Sequence, residues 1–267
     1  MTATKDLFVP AGAETLFGIT ALDLGPHTGE LEMASGPWLR DGDRVGRAAL
    51  AVVFDDVTGY VVAAGAEDGR WPVSLGMHLD FLSDPPTDGS TLRARGELLR
   101  RDVGGGWTTG RVTNEKGEVL VVATQRSHLV ATDRPVVRPS TVIPAGTTDD
   151  RPLREILGVA GSAHHDDRSR TLELPPSDMI ANTKGSVHGG VLVCVVEMAA
   201  MQALEAGPRL ELSSIDVAFL RPCDAGEAVT FRAEVVHSGR TLQLVRVAAE
   251  NVHGKTCALA TVTTRTT

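Results

Sequence analysis

The chain carries one plan twice, and that restricts its fold more than any other feature. Shifted by 137, residues 89–124 align without a gap on 226–261. Gly89, Arg95, Glu97, Asn114, Gly117, Ala123 and Thr124 then fall on Gly226, Arg232, Glu234, Asn251, Gly254, Ala260 and Thr261. Shifted by 141, Glu14, Leu16, Leu31 and Glu32 fall on Glu155, Leu157, Leu172 and Glu173. Two collinear blocks in one order mark a duplication, with a small indel between residues 57 and 88. Between the copies runs ATDRPVVRPSTVIPAGTTDDRP, residues 131–152. Rich in Pro, Thr and Asp and without either periodicity, it reads as a linker. The expected organisation is a domain at 1–130, a linker at 131–152 and a second domain at 153–267.

Both copies have the same element order. In the second, REILG suggests a short helix and RTLELPP a strand, followed by a loop containing Gly and Ser. A long apolar helix from about 188 to 205 comes next. Four β-branched runs follow it: SSIDVAFL, EAVTFRAEVVHS, TLQLVRVAAEN and KTCALATVTTR. Gly-bearing turns between them fit an antiparallel meander. The first copy runs in parallel: GELEMA, then the helical RAALAVVFDDVTGYVVAA, then strands at about 71–82, 90–102, 107–114 and 118–129. A helix apolar on all sides must be covered all round. The simplest solution is α+β, with a sheet wrapped around one helix per half and the halves side by side.

Composition narrows the class further. With 42% hydrophobic but only 4% aromatic residues, the core must be aliphatic. A formal charge of −8 with scattered Lys and Arg argues against a nucleic-acid surface. Cys194, Cys223 and Cys257 are odd in number and lack CxxC spacing, so they read as reduced, small hydrophobes in a cytoplasmic protein. MTATKDLFVPAG has neither the basic nor the apolar region of a signal peptide. The apolar run after His188 is interrupted by Gln202 and Glu205 before it is long enough to span a bilayer.

The chemistry concentrates in NTKGSVHGGVLVCVVEMAAMQALE, Asn182 to Glu205. A single acid, Glu197, sits amid Val, Cys, Met and Ala, where an unpaired carboxylate is costly. Such an acid has a structural partner or a chemical use.

N-x-x-G-x-x-H-G-G with an acid nine residues after the His resembles the PaaI-type acyl-CoA thioesterases of the hotdog fold. The matching residues are Asn182, Gly185, His188, Gly189, Gly190 and Glu197, and FLRP, Phe219 to Pro222, is also similar to that family. With the duplication, the resemblance implies two tandem hotdog domains packed as an intrachain pseudo-dimer, a double hotdog. It implies hydrolysis of acyl-CoA to free acid and CoA, with CoA as part of the substrate, no separate cofactor and no metal. By analogy it implies a homo-oligomer of such chains.

His188 and Glu197, nine residues apart on one helix, are separated by about 13 Å along its axis. They cannot grip one thioester carbonyl. The helix start offers free N–H groups to a developing oxyanion, and Gly189 lets that oxygen come close. The acid must therefore come from the other half. Under the 141 offset, Asn182 falls on Asp41, His188 on Arg47, Gly189 and Gly190 on Ala48 and Ala49, and Glu197 on Asp56. Two unequal sites are expected: Asn182, His188 and Gly189 with Asp56, and Asp41, Arg47 and Ala48 with Glu197. The first is the expected catalytic site. Asp56 would act as general base or as nucleophile, and Asn182 would position water or order the loop. Ser74 would assist Asp56, and Ser213 or Ser214 would sit beside Glu197. Arg221 and Lys184 are candidates for CoA phosphates, with Gly190 and Ser214 also on the substrate side.

Plainer readings stand beside these. Asp55 could replace Asp56, since adjacent helix positions differ by only about 100°. Glu197 could be a buried carboxylate satisfied by Arg47, and His188 could simply order its loop. AHHDD, Ala163 to Asp167, reads as a solvated loop rather than a metal site. GGG at 104–106 reads as a turn, and no Ser lies in a GxSxG. Two other functions compete: a non-catalytic acyl-CoA or acyl-carrier binding protein, and a hotdog hydratase or dehydratase.

Overall fold

A computed structural model describes residues 7–132, 144–146, 150–166, 169–204 and 210–266. Helix α1 (Gly12–Leu16) leads into the hairpin β1 (Thr20–Leu24) and β2 (Thr28–Ala34). A two-stranded ribbon, β3 (Arg40–Asp41) and β4 (Arg44–Val45), precedes a 3-10 turn at Arg47–Ala49 and helix α2 (Leu50–Ala63). Strands β5 (Arg70–Phe81), β6 (Thr91–Asp102), β7 (Gly105–Thr113) and β8 (Val119–Ala131) follow. The order then recurs: α3 (Leu153–Ile156), β9 (Ala160–Asp166), β10 (Ser169–Leu174), α4 (Gly189–Ala203), β11 (Leu210–Phe219), β12 (Val229–Ser238), β13 (Leu242–Glu250) and β14 (Thr256–Thr266).

All but the ribbon strands join one antiparallel sheet in the order β1-β2-β6-β7-β8-β5-β11-β14-β13-β12-β10-β9. Its middle seam pairs β5 with β11, from Asp80 opposite Ser214 to Gly76 opposite Ala218. Read outward from that seam, each side meets corresponding strands in the same sequence. Strand burial alternates, as on β6 and β12, because one sheet face packs on the helices and the other meets water. Cross-strand pairs such as Arg93–Glu32 and Arg232–Glu250 populate that outer face. Helices α2 and α4 are buried nearly all round and pack against each other. Their crossing is close: the Cys194 thiol donates to Ala48 O at 3.4 Å, and Gly190 lies on the backbone of Val52.

The structure corrects several details. The expected linker falls largely outside the described residues; within it, Ala145 N–H donates to Leu16 O at 2.7 Å. AHHDD, expected as a loop, lies mostly on β9, and its side chains fall outside the described residues. Of the GGG run, only Gly104 is in a turn, since Gly105 and Gly106 begin β7. They are there because β7 runs close to β8 and α2: a Cβ on Gly105 would strike Ser127 O, and one on Gly106 would lie 2.7 Å from Val62 Cγ2. The three cysteines are buried and unpaired. Among the described residues no helix is long and apolar enough to cross a membrane.

Candidate active site

The repeat offset changes inside the ribbon, and this decides which acid faces the loop. In the first half, Arg40 opposes Val45 and Asp41 opposes Arg44, leaving Gly42 and Asp43 as a two-residue tip. In the second, Ala181 opposes Val187 and Asn182 N–H donates to Ser186 O, leaving Thr183, Lys184 and Gly185. The first-half tip is one residue shorter. Leu39 O accepts from Gly46 N–H just as Ile180 O accepts from His188 N–H, both at 2.8 Å. From there on the halves are related by a shift of 142, which carries Ala48 to Gly190, Val52 to Cys194 and Asp55 to Glu197. His188 thus corresponds to Gly46 rather than Arg47, and Gly189 to Arg47 rather than Ala48. The acid that corresponds to Glu197 is Asp55, not Asp56.

The contacts agree with that register. Asp55 Oδ2 accepts from Gly190 N–H at 3.2 Å, across the α2–α4 crossing. Asp55 Oδ1 accepts from Ser74 Oγ at 2.7 Å and from Gln125 Nε2. Gln125 Nε2 also donates to Ser74 Oγ at 2.7 Å, and its Oε1 pairs with Thr58 Oγ1; the carboxylate, which can only accept, fixes the amide's orientation. Ser74 therefore serves Asp55, not Asp56 as expected. Gly189 has room for no side chain here: a Cβ would lie 2.6 Å from Asp55 Oδ2 and 3.4 Å from Phe219 Cζ. As the first helical residue, its N–H has no intrahelical acceptor.

Asp56 points elsewhere. Its Oδ1 lies 3.0 Å from His188 Nε2, with both groups buried. His188 caps α4, its Nδ1 accepting from Gly190 N–H at 3.1 Å. The loop-ordering role is the one these contacts describe. Asn182 does the same for its turn: its Oδ1 accepts from the N–H groups of Lys184 (2.9 Å) and Ser186 (3.2 Å). Gly185 closes that turn at φ +79°, a backbone conformation that favours glycine.

These groups line a cavity of about 470 Å³. Asp55, Ser74, Asn182, Lys184, His188, Gly189 and Arg221 all reach it, with an apolar side made by Tyr60, Trp71, Val130, Leu192 and Phe219. Burial lowers the Lys184 amine from its ordinary value. Ser214 does not reach the cavity; it stands on β11 opposite Asp80.

Glu197 faces a separate cavity of about 570 Å³ with Asp41, Arg47 and Asp84. Its carboxylate accepts from Ala48 N–H (2.8 Å) and Arg47 N–H (3.2 Å). The backbone of Arg47 holds it, not the guanidinium, which binds Asp84 Oδ1 at 2.5 Å and Leu212 O at 2.8 Å. Neither Ser213 nor Ser214 lines this cavity, where Leu212 takes the place of Ser74. Val262 stands where Gln125 does. The acid is present here without its hydroxyl and amide partners.

Burial raises Glu197 to about 7, against the N–H groups of Ala48 and Arg47. A carboxyl raised on folding contributes stability fully below about 4.5, and that contribution is lost as pH climbs through about 7. Glu197→Gln removes this titration. Between about pH 4.5 and 8 the wild type is expected to lose about 3 kcal/mol more stability than the variant, read by urea melts at each pH.

Glu14, Asp56 and His188 form the one group of described residues whose donor atoms lie close enough to share an ion, within 4.8 Å. Both His188 nitrogens are already engaged, and a metal on Nε2 would take the donor from Asp56. The donor set suits protons better than a cation.

Sequence reasoning missed Gln125, which reaches the acid from a distant strand, and Thr58, which holds the Gln125 amide from one helical turn beyond the acid. It also missed Glu14, which it used only as an alignment marker.

Residues 177–265 match the family described as acyl-CoA thioesterase N-terminal domain. No curated protein sequence matches the chain. Among solved structures, the tesB protein of Mycobacterium avium subspecies paratuberculosis superimposes with a TM-score of 0.67 at 9% identity, over 92% of this chain and 94% of that one. The acyl-CoA thioesterase II TesB2 of Mycobacterium marinum gives 0.65 at 11% identity, over 96% of each chain. The 12:0-ACP thioesterase of Umbellularia californica gives 0.59 at 14% identity, over 89% of this chain and 94% of that one. At such identities the likeness is one of fold, a large antiparallel sheet with few helices. The match to the acyl-CoA thioesterase domain over 177–265, within a chain of that fold, supports a thioester hydrolase.

Proposed function

We propose that the chain hydrolyses acyl-CoA to free acid and CoA at one competent site built between two tandem hotdog units, 1–130 and 153–267, packed as an intrachain pseudo-dimer about the 131–152 linker. The observation that carries this is the Asp55 carboxylate, held by Ser74 and Gln125 and facing the Gly189–Gly190 start of α4 across the helix crossing. The PaaI-type assignment rests on the loop from Asn182 to Gly190. Extension to a homo-oligomer rests on the resemblance alone, and sedimentation velocity checks it.

In this reading the Gly189 N–H donates to the thioester oxygen as negative charge develops there. Asp55 is the general base. Water attacks the carbonyl carbon while its proton passes to Asp55. Collapse of the tetrahedral adduct breaks the C–S bond, and the thiolate leaves with the proton returned by Asp55. Ser74 and Gln125 hold Asp55 in place and leave no room for it to rotate away. Lys184 and Arg221 at the cavity supply positive charge for the CoA phosphates.

The names of the structures of like fold include both acyl-CoA and 12:0-ACP substrates, so the carrier needs its own test. Thiol release is measured with aliphatic and aromatic acyl-CoAs and with the same acyl groups on acyl carrier protein. The expected result is turnover of at least one acyl-CoA. Release from acyl carrier protein alone would move the assignment to that carrier. Binding of acyl-CoA without release from any substrate would replace hydrolysis by a binding role.

A further inference from the structure

The same three places on the walls of the two cavities are filled differently. On the wall of the competent cavity stand Glu14 on α1, Asp56 on α2 and His188 at the start of α4, each buried. The turn after α1 matches the turn after α3 at a shift of 140: Ile19 N–H donates to Glu14 O as Val159 N–H donates to Arg154 O, both at 2.9 Å. Glu14 therefore corresponds to Arg154, and not to Glu155 as the sequence alignment had it. With the helix shift of 142, Asp56 corresponds to Met198 and His188 to Gly46. None of the three is needed to build the fold, since the other half builds it without them. They accompany the loop that has kept its His-Gly-Gly.

Asp56 Oδ2 has no hydrogen-bond partner among the described residues, although it is buried. Its neighbour within the trio is Glu14, whose Oε2 accepts from Ala11 N–H at 3.0 Å. Two ionised carboxylates this close, out of water, repel each other. Helix α1 is fastened to the catalytic loop itself, because Ala13 N–H donates to Ala181 O at 3.1 Å.

We propose that Glu14 is a positioning residue for the hydrolytic reaction: its neutral carboxyl donates to Asp56 Oδ2, directly or through one water, and so keeps His188 as the Nε2–H tautomer whose Nδ1 accepts from Gly190 N–H. This rests on the hydrolytic reading above. The hydrogen bonds then run in one unbroken series, from Glu14 to Asp56, from His188 Nε2 to Asp56, and from Gly190 N–H to His188 Nδ1. The start of α4, with the Gly189 N–H, is thereby fixed beside Asp55.

The titratable groups that face this trio are Asp55 and Tyr60 from α2. Burial, and then the charge of Asp56, raises Glu14 to about 7. Burial alone would lower His188, but the charges of Asp56, Asp55 and Glu14 together raise it, and a neutral Glu14 removes its share of that pull. An imidazolium could not accept from Gly190 at Nδ1; it would turn that proton toward Asp55 Oδ2, 3.6 Å away. The folded geometry, with Gly190 N–H aimed at Nδ1, is that of the neutral ring. With the proton on Glu14, Asp56 accepts from both neighbours and the neutral His188 leaves Asp55 free for water. When Glu14 ionises, that arrangement is lost.

The test combines kinetics with nitrogen-15 spectra of His188. Wild-type kcat is expected to fall about threefold as pH rises through about 7. Glu14→Gln, a permanently neutral donor, is expected to remove that step and keep the low-pH rate. Glu14→Ala is expected to lower kcat about tenfold at every pH, with the Nδ1 signal shifted from its acceptor position. A wild-type pH profile in Glu14→Gln, or a protonated Nδ1 in the wild type at pH 6, would overturn the proposal even if Glu14→Ala fails to fold. The spectra do not depend on turnover. If no thioester is hydrolysed, an acceptor Nδ1 that Glu14→Gln preserves leaves the hydrogen-bonded series standing and removes only its role in that reaction.

Discussion

Asp55→Asn is expected to lower kcat for thioester hydrolysis by about 10³-fold, within the range for loss of a general base. The substitution keeps size and shape, so Ser74 Oγ and Gln125 Nε2 can still approach the side chain. What it removes is the capacity to take a proton from water. Substrate affinity is expected to change little, because Lys184, Arg221 and the apolar wall are untouched. Asp56→Asn is the informative contrast. Asp56 bonds to His188 and acts on the loop rather than on the reacting atoms, so its loss is expected to cost only about tenfold. Equal losses in both variants would mean that the two acids work as a coupled pair. Single-turnover hydrolysis in oxygen-18 water separates base from nucleophile: label appearing in Asp55 itself would show attack through a mixed anhydride.

Gly190→Ala is expected to be the most destabilising single methyl in the two long helices, α2 and α4. A Cβ at this position would strike Val52 Cα and would lie 2.6 Å from Val52 N and 2.7 Å from Ala51 O. These are backbone atoms of α2, so no rotamer change relieves the clash, and the two helices must separate. Overpacking of this kind costs about 3 kcal/mol, or a Tm lower by roughly 6–12 °C for a chain of this size. Separation would also carry Gly189 away from Asp55, so whatever folds is expected to be nearly inactive. Ala48, at the corresponding place in the first half, is the control: it carries a Cβ and accepts the Cys194 thiol at its carbonyl. Ala48→Gly is expected to lower the Tm by only about 2–4 °C, by differential scanning calorimetry. A Gly190→Ala protein with wild-type Tm would mean that the helices do not cross this closely.

The recurring order of elements, both apolar helices and an acid on α2 that faces the start of α4 were legible in the sequence. They leave marks that local pattern preserves: aligned Gly and Asn turns, a run too apolar for one-sided burial, and a spacing too long for a single carbonyl. The identity of the acid was not legible. Asp55 and Asp56 are adjacent, and the deciding event is one residue missing from the tip at Gly42 and Asp43, in a stretch with no identities to reveal it. Glu14 was misaligned for the same reason, because its region carries a third offset. Gln125 and Thr58 escaped notice because β8 meets Asp55 only once the sheet has formed, and a buried Gln on a strand has no motif. Ser214 failed because the matching bulges of β5 and β11 relate the two strands by a shift of 138, which puts Leu212 in the place of Ser74. Arg47 was expected to hold Glu197 by its charge, yet its N–H does so while the guanidinium goes to Asp84.

The most direct test of one competent site per chain is thiol release by Asp55→Asn and Glu197→Gln, assayed side by side on the same acyl-CoA at neutral pH. Glu197 accepts two N–H groups but faces neither a hydroxyl nor an amide equivalent to Ser74 and Gln125. The account predicts that Glu197→Gln keeps its rate within about threefold of wild type while Asp55→Asn loses nearly all of it. An inactive Glu197→Gln beside an active Asp55→Asn would contradict it, and would put the chemistry in the other cavity.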